Sequence, residues 1–124
     1  MEYTFEHDKD EDVCVVRVSG QHRRPEDSIV LQRFARDFGA ENKCFRFLFD
    51  MREATISGST VDIYQAGVQP DVDRFPREKY RIALVYSGDT ADHKFMEDVV
   101  VNRGYILRVF DDYDQARLWL TMNE

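Results

Sequence analysis

The chain has few cysteines, no long apolar run and no excess of positive charge. Its 124 residues include two cysteines, too few to cross-link a secreted domain of this size, so we expect a reducing, cytoplasmic setting. No apolar run has the length of a membrane-spanning helix, and residues 1–8 are acidic, unlike a signal peptide. With 17 Lys and Arg against 24 Asp and Glu, the formal charge is −7, which argues against nucleic acid as the main partner.

The chain contains enough apolar material for one folded domain. Apolar residues make up 43% of it and aromatic residues 13%, and a chain of this length buries a real hydrophobic core. No linker, internal repeat or low-complexity stretch divides it. We therefore interpret residues 1–124 as a single α/β domain.

Hydrophobic periodicity predicts five strands. Residues 3–7 alternate as a half-buried edge strand, and residues 13–19, closed by Gly20, form the second strand of an antiparallel hairpin. The other three strands are predicted at 44–50, 81–86 and 106–110, and a loop is expected at 51–59. The strands around the centre carry apolar residues on both faces, so each face needs cover. Either the helices are divided between the faces or the domain dimerises.

Four helices are predicted between and after these strands. The first, 25–38, begins at Pro25, ends at Gly39 and carries an apolar stripe. The stripe consists of Leu31, Phe34, Ala35 and Phe38. The others are expected at 59–68, 90–103 and 113–120, the last with Asp112 and Gln115 as a capping box. The order β-β-α-β-α-β-α-β-α predicts a five-stranded mixed sheet whose first strand is an antiparallel edge.

Several segments together resemble the SpoIIAA-like group of small bacterial proteins within the STAS superfamily, over nearly the whole chain. They are Asp50 after a hydrophobic strand, the strand 82–85, the stretch 102–104, and the ending 109–120 with its acidic cap and Trp119-Leu120. The resemblance implies a βα superhelix with helices mainly on one face of the sheet. It also implies a non-enzymatic role, since better-known STAS members are anti-sigma-factor antagonists.

Those antagonists are switched by phosphorylation at the start of the helix after the third strand. The corresponding stretch here is Gly58-Ser59-Thr60-Val61, which keeps two hydroxyl residues but lacks the Asp and Gly of the antagonists' Asp-Ser-Ser-Gly pattern. The resemblance makes Ser59 and Thr60 candidate phosphoacceptors. Helix capping is the alternative explanation for both residues.

The sequence offers no recognisable catalytic, metal or cofactor motif. His7, His22 and His93 have no ligand spacing, and Cys14 and Cys44 lie in predicted apolar strands, where a free cysteine behaves as a small hydrophobe. Phosphate loops and nucleophile elbows are also missing. We therefore expect neither a metal nor a cofactor, and no enzymatic activity.

The carboxyl ends of the parallel strands are the best candidate site, because ligands gather there in α/β sheets. This predicted rim consists of His22, Arg23, Asp50, Arg52, Ser87 and Asp89. His22 with Asp50 would supply a base and an acid. The alternative explanation is that loops and helix caps are polar in any protein.

The sequence thus supports two functional hypotheses. The first is a regulatory or protein-interaction module that forms a homodimer or binds another protein, with partly exposed aromatic rings near segment ends as anchors. The anchors expected are Tyr64, Phe75, Tyr80 and Tyr86. The alternative is a small-molecule or lipid-binding domain that uses the carboxyl edge or a surface groove, by analogy with lipid carriers of similar architecture.

Overall fold

The computed structural model describes residues 2–23, 26–57, 80–87 and 106–122. Five strands form one sheet in the order β1-β2-β3-β4-β5. Their bounds are Glu2–Asp8, Val13–Arg23, Arg46–Ser57, Arg81–Val85 and Ile106–Phe110. β1 pairs antiparallel with β2, and all other neighbours are parallel. The predicted five-stranded mixed sheet with an antiparallel first edge strand is confirmed.

Two helices belong to the described residues, α1 over Glu26–Asn42 and α2 over Tyr113–Thr121. The predicted cap of α2 is confirmed, since the backbone N–H of Gln115 donates to Asp112 Oδ1 at 2.9 Å. The predicted helices 59–68 and 90–103 lie outside the described residues. Neither α1 nor α2 is long and apolar enough to cross a membrane.

β2 and β3 continue further than the sequence analysis predicted. β2 does not close at Gly20 but runs to Arg23, and the loop expected from residue 51 is instead strand as far as Ser57. The two extensions pair in parallel, with Gly20 opposite Ala54, so that their backbone N–H and C=O groups hydrogen-bond to each other. Between Arg17 and Ser19 the register shifts. Ala54 therefore packs on the same side as Met51, although residues three positions apart point to opposite faces of a regular strand.

The sheet buries apolar side chains on both faces. On the α1 face, β2 and β3 contribute Cys14, Val16, Val18, Phe47, Phe49 and Met51 to a core that includes Leu31 and Ala35 of α1. On the other face, Val13, Val15, Leu48, Ala83 and Val85 pack with Ala116 and Leu120 of α2. The two described helices are therefore divided between the faces. This arrangement covers both faces within one chain, so two-sided apolar strands do not by themselves require a dimer.

Two arginines fix α2 to the rest of the domain. Arg117 binds Asp8 at 2.6 Å and also Glu11, which ties α2 to the β1–β2 hairpin and raises the pKa of Arg117. Arg81 at the start of β4 lies 4.2 Å above the Trp119 ring and donates twice to the Trp119 carbonyl, at 2.9 and 3.1 Å. These contacts hold α2 against the amino ends of the parallel strands.

The end of α1 corrects the prediction that Gly39 stops the helix. α1 continues to Asn42, and Lys43 takes the left-handed conformation that ends it, with φ of 52°. The N–H groups of Lys43 and Cys44 then donate to the carbonyls of Ala40 and Gly39 at 3.3 and 2.9 Å, a Schellman motif. Gly39 is needed inside the helix because a Cβ there would lie 2.4 Å from Phe47 Cζ and 2.8 Å from the Cys44 carbonyl oxygen.

Gly39→Ala should therefore destabilise the protein, although alanine is ordinarily preferred in helices by roughly 1 kcal/mol. We expect a net loss of about 1–3 kcal/mol from overpacking, measured as the free energy of unfolding in urea. In a Phe47→Leu background, which removes the ring atom that Cβ would strike, the penalty of Gly39→Ala should be smaller. A stabilised Gly39→Ala variant would contradict this packing.

Candidate functional site

The structure separates the residues of the predicted rim into two groups. Asp50 lies opposite Arg17, whereas His22 lies opposite Ile56 in the extended part of β2 and β3. Ile56 is six positions beyond Asp50, which is about 20 Å along a strand. His22 and Asp50 therefore do not form the acid–base pair that the sequence analysis considered, because β2 and β3 extend past the end of β4.

His22 and Arg23 stabilise the turn from β2 into α1. The His22 side chain is 2% exposed, and its Nε2 lies 2.8 Å from Ser28 Oγ in the first turn of α1. The backbone N–H of Arg23 donates to Asp27 Oδ2 at 2.7 Å, and this bond, helped by the Arg23 charge, lowers the pKa of Asp27. These contacts fix the start of α1.

The second group does come together. Asp50, 8% exposed, accepts two side-chain hydrogen bonds from Arg52, each 2.8 Å long, and one from the Arg52 backbone at 3.2 Å. Ser87 Oγ donates to the Arg52 carbonyl at 3.3 Å. The Arg52 guanidinium also lies 4.9 Å from the centre of the Tyr113 ring. Asp50, Arg52 and Ser87 thus form a compact group where β4 ends; we call it the Asp50 group.

The surroundings of Asp50 favour a charged carboxylate whose oxygens are already hydrogen-bonded to Arg52. Burial raises the pKa of Asp50, but the hydrogen bonds from Arg52 outweigh it and hold the pKa below its ordinary value. The same pair raises the pKa of Arg52. A general base needs an available lone pair and a pKa nearer neutrality, so Asp50 is poorly suited to that role. Arg52, half-exposed, remains able to contact an anion.

Three of the predicted site residues cannot be placed. Asp89, Ser59 and Thr60 all lie outside the described residues. Of the predicted aromatic anchors, Tyr64 and Phe75 also lie outside them.

The remaining predicted anchors are part of the core rather than an exposed surface. Tyr86 is buried, and Tyr80 is half-buried with its ring stacked 5.8 Å from Phe47. The prediction of a partly exposed ring is wrong for Tyr86, which is buried in the core on the α1 face, whereas Tyr80 keeps a partly exposed ring that also packs against that core.

An exposed apolar surface appears where the sequence predicted core. Phe34 was expected in the buried stripe of α1, yet it is 49% exposed and lies beside Val30, also exposed one turn earlier. Its ring centre is 5.9 Å from that of Tyr3 on the edge strand β1. Among the described residues the sheet ends at β1, so no further described strand lies beneath this side of α1. We call Val30, Phe34 and Tyr3 the α1–β1 surface.

The fold also assembles a cluster that the sequence analysis missed. At the amino edge of the parallel strands, His7 Nε2 lies 2.9 Å from Asp12 Oδ1, and Cys44 Sγ contacts the Asp12 carbonyl at 3.4 Å. His7 is paired directly with Cys14 across the hairpin. The predicted hairpin places His7 near the start of β2, but the sequence did not predict the register that sets it opposite Cys14. The approach of Cys44 was not predicted either, because Cys44 lies in the connection after α1 rather than in a strand.

The two thiols of this cluster influence each other. The hydrogen bond between them lowers the pKa of Cys44 to about 7, despite the opposing effect of burial, and raises the pKa of Cys14. Both cysteines are free and buried.

Comparisons with known proteins identify the fold. The chain matches no family model and no curated protein. It is similar to the crystal structure of an uncharacterized DUF3478 family protein with a SpoIIAA-like fold from Shewanella loihica PV-4. The TM-score is 0.54 and the identity 15%, over 96% of this chain and 92% of that one. The SpoIIAA-like fold expected from the sequence resemblance is thereby confirmed.

Asp50→Asn should destabilise the protein by about 1.5–3 kcal/mol at pH 7, the range for hydrogen bonds to a charged group. The pKa of Asp50 is lower in the folded protein than in the unfolded chain. Its carboxylate therefore contributes fully to the free energy of unfolding above the unfolded-state pKa, and this contribution is lost as the pH falls through the folded-state pKa. Urea unfolding from pH 7 to pH 3 should therefore show the difference between wild type and variant shrinking with acidification.

Glu6→Gln is the matched control, because it removes a carboxylate from an exposed pair with Arg17. We expect it to cost less than about 1 kcal/mol. An Asp50→Asn variant as stable as wild type at pH 7 would contradict the assignment of the Asp50 group as a stabilising ion pair.

Proposed function

We propose that this chain is a non-enzymatic, STAS-like interaction module of the bacterial cytoplasm that pairs with a second copy of itself through the α1–β1 surface. The observation that carries the proposal is the half-exposed Phe34 ring on the outer side of α1. Aromatic side chains, phenylalanine among them, are enriched at protein interfaces relative to the rest of the surface.

The neighbours of Phe34 favour a second copy as the occupant. Val30 lies one helical turn away on the same stripe, and the Tyr3 ring flanks Phe34 on the other side. Arg33 and Asp37 on the same exposed side of α1 carry opposite charges. In a two-fold pairing of antiparallel α1 helices, Arg33 of one copy would face Asp37 of the other. A two-fold interface must be self-complementary, and opposite charges beside an apolar centre meet that requirement in this pairing.

The roles of the polar residues support a non-enzymatic function. His22 is buried against Ser28 at the start of α1, and Asp50 is occupied by Arg52. The two side chains with the strongest claim to acid–base chemistry in the sequence thus serve as structural contacts among the described residues.

A second candidate function is binding of a small molecule or lipid headgroup at the carboxyl edge. It is favoured by the half-exposed Arg52 guanidinium, which Asp50 and the Tyr113 ring hold in place and which suits an anionic group. An anionic ligand should shift the NMR signals of Arg52 and Ser87, and Arg52→Gln should abolish the shift. Of the other residues of the predicted rim, His22 and Arg23 lie at the far end of β2, and Asp89 lies outside the described residues, so this candidate rests on Arg52 and its neighbours.

Phosphorylation of Ser59 or Thr60 is proposed as the regulatory event. A phosphate adds about −1.5 to −2 charges and would change the surface that a partner meets. Phosphopeptide mass spectrometry of the protein isolated from bacterial cells tests this proposal.

The dimer is tested by Phe34→Glu, which would bury a charge in the proposed interface. We expect wild type to have the mass of two chains and Phe34→Glu that of one, measured by light scattering over a dilution series. Leu118→Glu is the matched control. Leu118 is 62% exposed on α2, on the opposite face of the sheet, so this variant should remain dimeric.

A wild-type protein that is monomeric at every concentration would overturn the proposal. Dissociation of the Leu118→Glu variant but not of the Phe34→Glu variant would place the interface on α2 instead and would equally contradict it.

A further inference from the structure

We propose that His7, Asp12 and Cys44 bind a divalent transition-metal ion, with Zn²⁺ as the best match, at the amino edge of the sheet. The site is independent of the proposed dimer and lies at the opposite end of the strands from the Asp50 group. It combines imidazole, carboxylate and thiolate, the three kinds of side chain that bind zinc in proteins.

Three separate segments bring these donors together. His7 lies near the end of β1, and the hairpin register sets it beside Cys14 on the α1 face. Asp12 closes the hairpin turn in the left-handed conformation, with φ of 56°. Cys44 directly follows Lys43 at the end of α1. No spacing in the linear sequence connects them, which explains why the motif search found nothing.

The donor atoms are close enough to share one ion. One ligand atom from each of His7, Asp12 and Cys44 lies within 4.8 Å of the other two. An ion bound at about 2.0–2.3 Å from each donor fits donors at this separation after small side-chain adjustments. The thiolate and the carboxylate together would neutralise the charge of Zn²⁺. Binding would release the Cys44 proton to solvent.

The His7 ring is incompletely satisfied by the described residues. Its Nε2 faces Asp12, but Nδ1 is buried and lacks a hydrogen-bond partner within the part of the chain that the structure describes. An unpaired buried polar atom is costly, and native proteins rarely leave one without water or an ion. A cation bound at Nδ1 would satisfy this buried atom, and the Nε2–H would keep its hydrogen bond to Asp12.

The surroundings of the donor atoms let a metal ion enter from solvent and slow its release. Asp12 is exposed and opens the site to solvent, whereas Cys44 is fully buried behind it. Cys44 Sγ also lies 3.4 Å from the Arg46 carbonyl. The fourth coordination position would be left to water or to Cys14, which lies opposite His7 across the hairpin.

The test is metal binding by the full chain after treatment with a chelator. Native mass spectrometry should show one Zn²⁺ per chain, and Co²⁺ should give the absorption of thiolate coordination. Asp12→Asn and Cys44→Ser should each weaken Zn²⁺ binding at least about 100-fold. Loss of a residue that only hydrogen-bonds to a metal ligand already costs up to about that factor, and these two residues are ligands themselves. Zn²⁺ should also raise the melting temperature of wild type but not of these variants.

Asp10→Asn is the matched control. Asp10 is an exposed carboxylate of the same hairpin turn but does not belong to the donor set, so its removal should leave binding unchanged. Asp12 is also exposed, so Asp12→Asn keeps the test decisive even if Cys44→Ser does not fold. Absence of saturable Zn²⁺ binding, or equal binding by wild type and Asp12→Asn, would overturn the proposal.

Discussion

The parallel pairing of β2 with β3 is the constraint on which the rest of the structure depends. Over this pairing, consecutive residues such as Val15 and Val16 are buried on opposite faces. Both faces must therefore be removed from water, and one helix cannot cover both. α1 covers one face and α2 the other. The same pairing continues beyond β4, and that extension separates His22 from Asp50.

The path of α1 determines where both proposed sites lie. α1 packs with Leu31 and Ala35 against the sheet and turns Phe34 outward at the β1 edge. Its C-terminal turn delivers Cys44 to the hairpin, next to His7. The α1–β1 surface and the donor cluster are thus both consequences of how one helix crosses from β2 to β3.

Local pattern predicted the strands and the sheet well, but it did not predict where the elements end. Alternation identified the hairpin, and Asp112 marked the start of α2 correctly. The prediction that Gly39 ends α1 was wrong, because the absence of a side chain there allows close contact with Phe47 inside the helix. The strand character of residues 51–57 depends on pairing with the extended β2, which periodicity over a short polar segment does not reveal.

The candidate sites were harder to predict than the fold, because they depend on contacts between segments distant in sequence. The predicted hairpin brought His7 near the start of β2 without fixing its register, and Cys44 reaches the cluster only through the path of α1. Asp50 and Arg52 are neighbours in sequence and were both named. Their pairing depends on the local backbone conformation and on burial beside β4. The order of polar residues in the sequence specifies neither.

The central functional claim is that α1 meets a second copy of the chain at Phe34. Covalent footprinting with a photogenerated carbene, analysed by mass spectrometry at increasing protein concentration, tests it most directly. Phe34 and Leu118 are both exposed in the single chain, so both should be labelled in dilute protein. The account predicts that labelling of Phe34 falls with concentration while that of Leu118 stays constant. Labelling of Phe34 that is as strong as that of Leu118 at every concentration would contradict it.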